Sequence, residues 1–90
     1  MDAQSFSQKA VADGFAEPYA RDLSVASDPA PPAHDFDARV MVTDGAITLG
    51  IDGKKTTYAA GDWCEVPAGT IHTEEVGPHG VSLLVAKRSS

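Results

Sequence analysis

The stretch that decides the fold is Gly61-Asp62-Trp63-Cys64-Glu65-Val66-Pro67-Ala68-Gly69-Thr70-Ile71-His72. Trp63–Val66 reads as a short strand. Pro67 then fixes φ and removes an amide donor, while Gly69 supplies a conformation free of a Cβ. The chain therefore reverses tightly at Pro67-Ala68-Gly69 and enters a second strand, predicted over Thr70–Val76. That turn throws His72 onto the inner face of the sheet. Side-chain alternation puts Glu74 and Val76 on the same face as His72, with Thr73 and Glu75 opposite.

The pattern on either side is the same. Upstream, Arg39–Thr43 is a strand, Asp44-Gly45 a turn signal and Ala46–Ile51 its partner strand. Asp52-Gly53 turns into Lys54–Tyr58, and Ala60-Gly61-Asp62 turns into Trp63. Downstream, Gly77-Pro78-His79-Gly80 breaks the chain before a last strand, Val81–Lys87. Turn signals every ~8–10 residues across about 50 residues, with nothing helical between them, mean an all-β sandwich, barrel or jelly roll.

The first third differs. Residues 2–12 read as a short helix with Ser5 as its cap, Gly14 as its stop, and Phe6, Ala10 and Val11 along one face. Phe15 to Val25 looks strand-like, but Pro18 confines it to an edge or a bulge. The next stretch, residues 27–35, carries Pro29, Pro31 and Pro32, each of which biases the preceding residue toward extended geometry. It reads as a stiff, solvent-facing loop that delivers His34 to the first barrel strand. The expected organisation is one domain over residues 1–90, with helix and edge strand in 1–25 and a barrel core in 28–87.

Composition narrows the function. Ninety residues leave room for one core, and a thin one, which domains of this size often reinforce with a disulfide, a metal or a partner subunit. One cysteine, Cys64, excludes an internal disulfide. A formal charge of −6, from 13 acidic and 7 basic side chains, repels phosphate backbones, so no nucleic-acid partner is expected. No apolar run approaches the ~20 residues that span a bilayer, and Met1-Asp2-Ala3-Gln4 lacks the basic start of a signal peptide. The expectation is a cytoplasmic protein with no membrane partner.

The quoted stretch resembles the second conserved motif of the cupin superfamily: a glycine, five residues, a proline, one residue, a glycine, two residues and a histidine. Gly61, Pro67, Gly69 and His72 fall in place. Val76 stands where the family often has asparagine. The family's first motif supplies two histidines one residue apart, then a glutamate, then a glycine. With that glycine on Gly45, the three ligand positions hold Pro32, His34 and Ala38. One ligand of three survives. His34-Asp35-Phe36-Asp37-Ala38-Arg39 is also similar to the first strand of a group of small bacterial cupins in which a helix and a strand precede the barrel.

The resemblance implies a double-stranded β-helix, or jelly-roll barrel, with a short N-terminal helix, and a site in the barrel mouth. It also implies a metal set reduced to His34 and His72, with Glu74 or Asp37 as substitute carboxylates. Strand parity turns Asp37 outward unless a bulge intervenes. Two histidines and a carboxylate on one face suffice for a divalent transition metal such as Fe, Mn, Zn or Ni. The same histidines could equally hydrogen-bond locally, and Glu74 could sit solvated at the rim, paired with Arg39. Cys64 reads as a packing residue, and Tyr58, Trp63 and Phe36 as core or pocket aromatics. His79 and the Lys54-Lys55 pair read as surface. Two functions follow: a barrel that binds a small molecule, or a metal-dependent enzyme of the dioxygenase, isomerase or lyase type. Homodimerisation is expected, because edge strands such as the Pro18 segment need covering.

Overall fold

Two long strands, β2 (Phe36–Ile51) and β5 (Thr73–Ser89), run antiparallel to each other along most of their length and carry every other strand. The protein was analysed as a computed structural model, which describes residues 1–26 and 31–89. Around the two long strands stand α1 (Ala3–Ala12), β1 (Tyr19–Leu23), β3 (Lys54–Ala59) and β4 (Trp63–Val66). The N-terminal half of β2 lies between β4 and the C-terminal half of β5, and β1 flanks that half of β5. The C-terminal half of β2 lies between β3 and the N-terminal end of β5. Two sheets result, ordered β1-β5-β2-β4 and β5-β2-β3, sharing strands that bend from one into the other. This is a barrel of jelly-roll type.

The bend corrects two expected turns. Asp44-Gly45 does not reverse the chain; it lies inside β2, where the register to β5 shifts on either side of it. Gly77-Pro78-His79-Gly80 likewise lies inside β5. Gly45 faces Val81 and Ile47 faces Val76, so four residues of β5 oppose only Ala46. A bulge of that size turns both strands together rather than ending either. Gly45 and Gly80 have φ of 77° and 81°, and a Cβ on Gly45 would run into the Gly80 carbonyl. Asp52-Gly53, by contrast, is a true reversal, with positive φ at both residues as a type I′ hairpin requires.

The core lies between the two sheets: Val42, Ile47, Leu49, Val66, Val81, Leu83 and Val85 are buried in one cluster. A second cluster, Ala10, Phe15 and Ala86, seats the helix on the outside of the barrel. The helix begins one residue later than expected, at Ala3. Its cap is Asp2, whose carboxylate accepts the Ser5 amide at 2.8 Å; Ser5 is already helical and donates. Phe6 and Ala10 face the barrel, but Val11 is exposed. The edge strand is shorter than expected, Tyr19–Leu23, with Pro18 just outside it. Phe15 instead packs under two guanidinium groups, with Arg39 Cζ at 4.5 Å and Arg88 Cζ at 4.4 Å from its ring centre. Of the expected proline loop, residues 27–30 lie outside the described residues.

Candidate functional site

The Pro67-Ala68-Gly69 turn does more than reverse the chain. The Gly69 amide donates to the His34 carbonyl at 2.8 Å and the His72 amide to the Pro32 carbonyl at 2.9 Å. These two bonds fasten the segment before β2 to the segment before β5. They bring the His34 and His72 rings edge to face, with centres 5.3 Å apart. His34 also stacks on Phe36 at 4.3 Å.

Backbone carbonyls orient both imidazoles. His34 Nδ1 lies 2.7 Å from the Phe36 carbonyl, and His72 Nδ1 lies 2.9 Å from the Thr70 carbonyl. A carbonyl can only accept, so each Nδ1 carries the hydrogen and donates. Nε2 is thereby left as the atom that meets the barrel's contents. On His72, which is buried, Nε2 lies 3.3 Å from Glu74 Oε2. The imidazole nitrogen and the carboxylate thus stand side by side, a pairing of the kind that can hold or move a proton.

Glu74 thus stands on the His72 face, as alternation predicts, but its partner is His72 and not Arg39. Arg39 is on the outside, bonded to Asp13 at 2.7 Å and Glu65 at 2.8 Å. Asp37 also points outward. It accepts the Ala68 amide at 2.9 Å and two bonds from Arg88, and these hold its carboxyl below the usual carboxylate range. The structure therefore brings together His34, His72 and Glu74 and keeps Asp37 away from them. Among the described residues, no three His, Cys, Asp or Glu side chains group closely enough to hold a metal ion. As placed, the residues do not fit a three-donor metal centre.

Both histidines line a partly open cavity of about 110 Å³ in the barrel. Its walls are mainly apolar, including Val40, Val42, Ile47, Leu49 and Val85. Tyr58 and Phe36 line it too, whereas Trp63 faces the helix and meets Phe6 edge to face at 6.3 Å. Cys64 lines the cavity as a packing residue: burial pushes its thiol up to about 11, against a hydrogen bond from Tyr58 that acts the other way. A thiol so disposed is no nucleophile near neutral pH. His79 is exposed, and Lys55 pairs with Glu75 on the surface at 2.7 Å. Among the polar residues at the cavity, reading the sequence missed Tyr19, Arg21 and Lys87. The signal was present as parity, since Lys87 shares the face of Val81, Leu83 and Val85.

Comparison with known proteins agrees with this architecture. No family model matches the chain. It is 33% identical over 45 residues to quercetin 2,3-dioxygenase from Bacillus subtilis, a stretch that covers half of this chain and 13% of that enzyme. It superposes on the EutQ protein of Clostridium difficile with a TM-score of 0.70 at 16% identity, over 83% of this chain and 57% of that one. It also superposes on the cupin-2 domain of an XRE family transcriptional regulator from Enterobacter cloacae, with a TM-score of 0.66 at 14% identity over 82% and 81% of the two chains. The fold is therefore that of the cupin barrel. The chain spans little more than half of EutQ, and its match spans about an eighth of the dioxygenase. Among the described residues no helix is long and apolar enough to cross a membrane.

Proposed function

We propose that this protein binds a small molecule inside its barrel, with the apolar part in the cavity and a polar group against His34, His72 and Glu74. The observation that carries this reading is the pairing of an apolar cavity with one polar corner whose side chains are already oriented by the backbone. A cavity of ~150 Å³ lined by aliphatic side chains takes up benzene; the one here is about a quarter smaller but partly open, so it suits a small ring that sits partly within it with its polar group at the opening. Protein-observed NMR with benzene-sized probes tests it. Shifts should map to Val40, Leu49 and His72 and vanish in Val40→Phe, which fills the cavity. Probes that move only surface amides would end this reading.

A second reading, a metal-dependent enzyme, draws on one specific observation: both imidazoles are held through Nδ1 by a backbone carbonyl and turn Nε2 away from it, as metal-binding histidines are held. The three-donor set it needs is not assembled, and no catalytic step is derived from it. Incubation with Fe, Mn, Zn or Ni and elemental analysis separates the two readings. Stoichiometric metal lost in His34→Ala and His72→Ala favours the enzyme; none bound favours the binding barrel. The outer edge of β1 has no strand partner among the described residues and carries exposed Tyr19. That edge supports a homodimer, which light scattering on the intact chain measures.

A further inference from the structure

The cationic side chains are distributed unevenly. The chain has seven, against 13 carboxylates. Four are paired among the described residues: Lys9 with Asp13, Arg39 with Asp13 and Glu65, Lys55 with Glu75, and Arg88 with Asp37. Arg21, Lys54 and Lys87 have no carboxylate partner among them. Lys54 follows the Asp52-Gly53 hairpin, away from the barrel interior. The other two, Arg21 and Lys87, both line the cavity. In so acidic a protein unpaired cations should be the exception, yet two of the three stand at this apolar cavity.

Lys87 is also positioned. Its Nζ lies 4.5 Å from the ring centre of Phe36 and 5.5 Å from that of Tyr19, so two aromatic faces hold the ammonium at the lip without neutralising it. Phe36 in turn stacks on His34, making one continuous wall from Lys87 to the imidazole corner. The other charged or titratable groups lining the cavity are His34, His72, Glu74, Tyr19, Tyr58 and Cys64. Among the described residues Glu74 is the only carboxylate of this set, and His72 already engages it. The cavity thus opens as a cationic mouth on a protein whose surface is otherwise anionic, which concentrates anions at this site.

We infer that the ligand is a small organic carboxylate: an apolar, benzene-sized body in the barrel, with the carboxylate between Lys87 and Arg21 at the lip rather than beside Glu74. Arginine's planar fork matches a carboxylate in two bonds, and lysine adds a point charge. This rests on the binding reading above for the apolar body in the barrel; it gives the ligand's charge and class and moves its polar group from the imidazole corner to the cationic lip.

Benzoate and benzamide, nearly equal in shape, separate the two ideas when titrated into the wild-type protein by NMR. Benzoate should bind about tenfold more tightly than benzamide, and added salt should weaken benzoate alone. Arg21→Met and Lys87→Met are at exposed positions and should keep the dispersed spectrum of the fold. Each should lower benzoate affinity several-fold, leave benzamide unchanged, and together remove the preference. Equal binding of the two probes, or a preference that survives both substitutions, overturns the carboxylate inference and leaves the binding barrel standing. Binding of neither probe in the barrel overturns both.

Discussion

Arg39 Nη1 lies 2.7 Å from Asp13 Oδ2, and this contact fastens the C-terminal end of the helix to the barrel wall. The Arg39 side chain is only 11% exposed, and its guanidinium packs on Phe15 and Trp63 and bonds Glu65 as well. Arg39→Met keeps much of the stem's packing but leaves two carboxylates without their shared cation. A charge-assisted bond in such a setting contributes about 1.5–3 kcal/mol, so the variant should lose about 2 kcal/mol in urea unfolding. Arg39→Lys, a point charge that cannot bridge both acids as a fork does, should recover only part of that loss. An unchanged midpoint in Arg39→Met would mean that the helix is held by Phe6 and Ala10 alone.

Two of these outer carboxylates set the acid limit of the fold. Asp37 is held below the usual carboxylate range by the Ala68 amide and then by Arg88, and Asp13 by its bonds to Arg39 and then Lys9. Because the folded state lowers both values, their contribution is complete above the unfolded carboxylate range and is lost as pH falls from there through the lowered folded values. Stability should therefore decline between about pH 5 and pH 2. Asp37→Asn should be less stable than wild type near neutrality and converge on it at the acid end. Parallel curves across that range would remove Asp37 from this role.

What could be read in the sequence follows from how local each signal is. Pro67, Gly69 and His72 act within six residues of one another, and the turn and the burial of His72 were both legible there. Asp44-Gly45 looks the same in sequence whether a chain reverses or a strand bends. The bend is decided by Gly80 and Val81, some 35 residues away, where β5 bulges opposite Ala46. Trp63 and Cys64 are neighbours on opposite faces, and only the seating of the helix against Trp63 tells which face is inside. Parity puts Lys87 on the inner face of β5, but nothing local distinguishes a cation at the lip of a cavity from one on a surface, so neither Lys87 nor Arg21 stood out as a site residue. The pairing of the remaining cations, which singles these two out, exists only in the folded chain.

Cys64 offers an alkaline counterpart. Its thiol is raised to about 11 by burial, with the Tyr58 hydrogen bond opposing. Near pH 8 only about a thousandth of it is thiolate, so iodoacetamide should label the folded protein far more slowly than a free thiol. The rate should climb toward pH 11, and Tyr58→Phe, which removes the bond favouring the thiolate, should move the climb higher still. The folded state holds the neutral thiol, so its contribution to stability is full below the unfolded thiol range and lost as pH rises toward the folded value. Cys64→Ala should flatten that alkaline decline. Rapid labelling of the folded protein at pH 8 would show instead that the thiol is open to solvent.

Gly45 and Gly53 have the same φ, 77°, and differ only in what surrounds them. A Cβ at Gly53 would meet nothing within 4 Å, so Gly53→Ala incurs only the left-handed backbone cost of about 1–2 kcal/mol. At Gly45 the same Cβ would collide with the carbonyl and carbon of Gly80, which are backbone atoms and cannot swing aside as a side chain can. Relief requires β2 and β5 to part at the point where both strands pass from one sheet into the other. Gly45→Ala should therefore cost about 4 kcal/mol or more, in the range reserved for strained backbone combined with core disruption. For a marginally stable small domain that is enough to unfold much of the population. Urea titration of both variants, or amide dispersion where Gly45→Ala does not fold, makes the comparison. Equal losses at the two sites would mean that the strand crossing has slack, and that the bulge at Gly77–Gly80 rather than the contact at Gly45 sets the bend of the barrel.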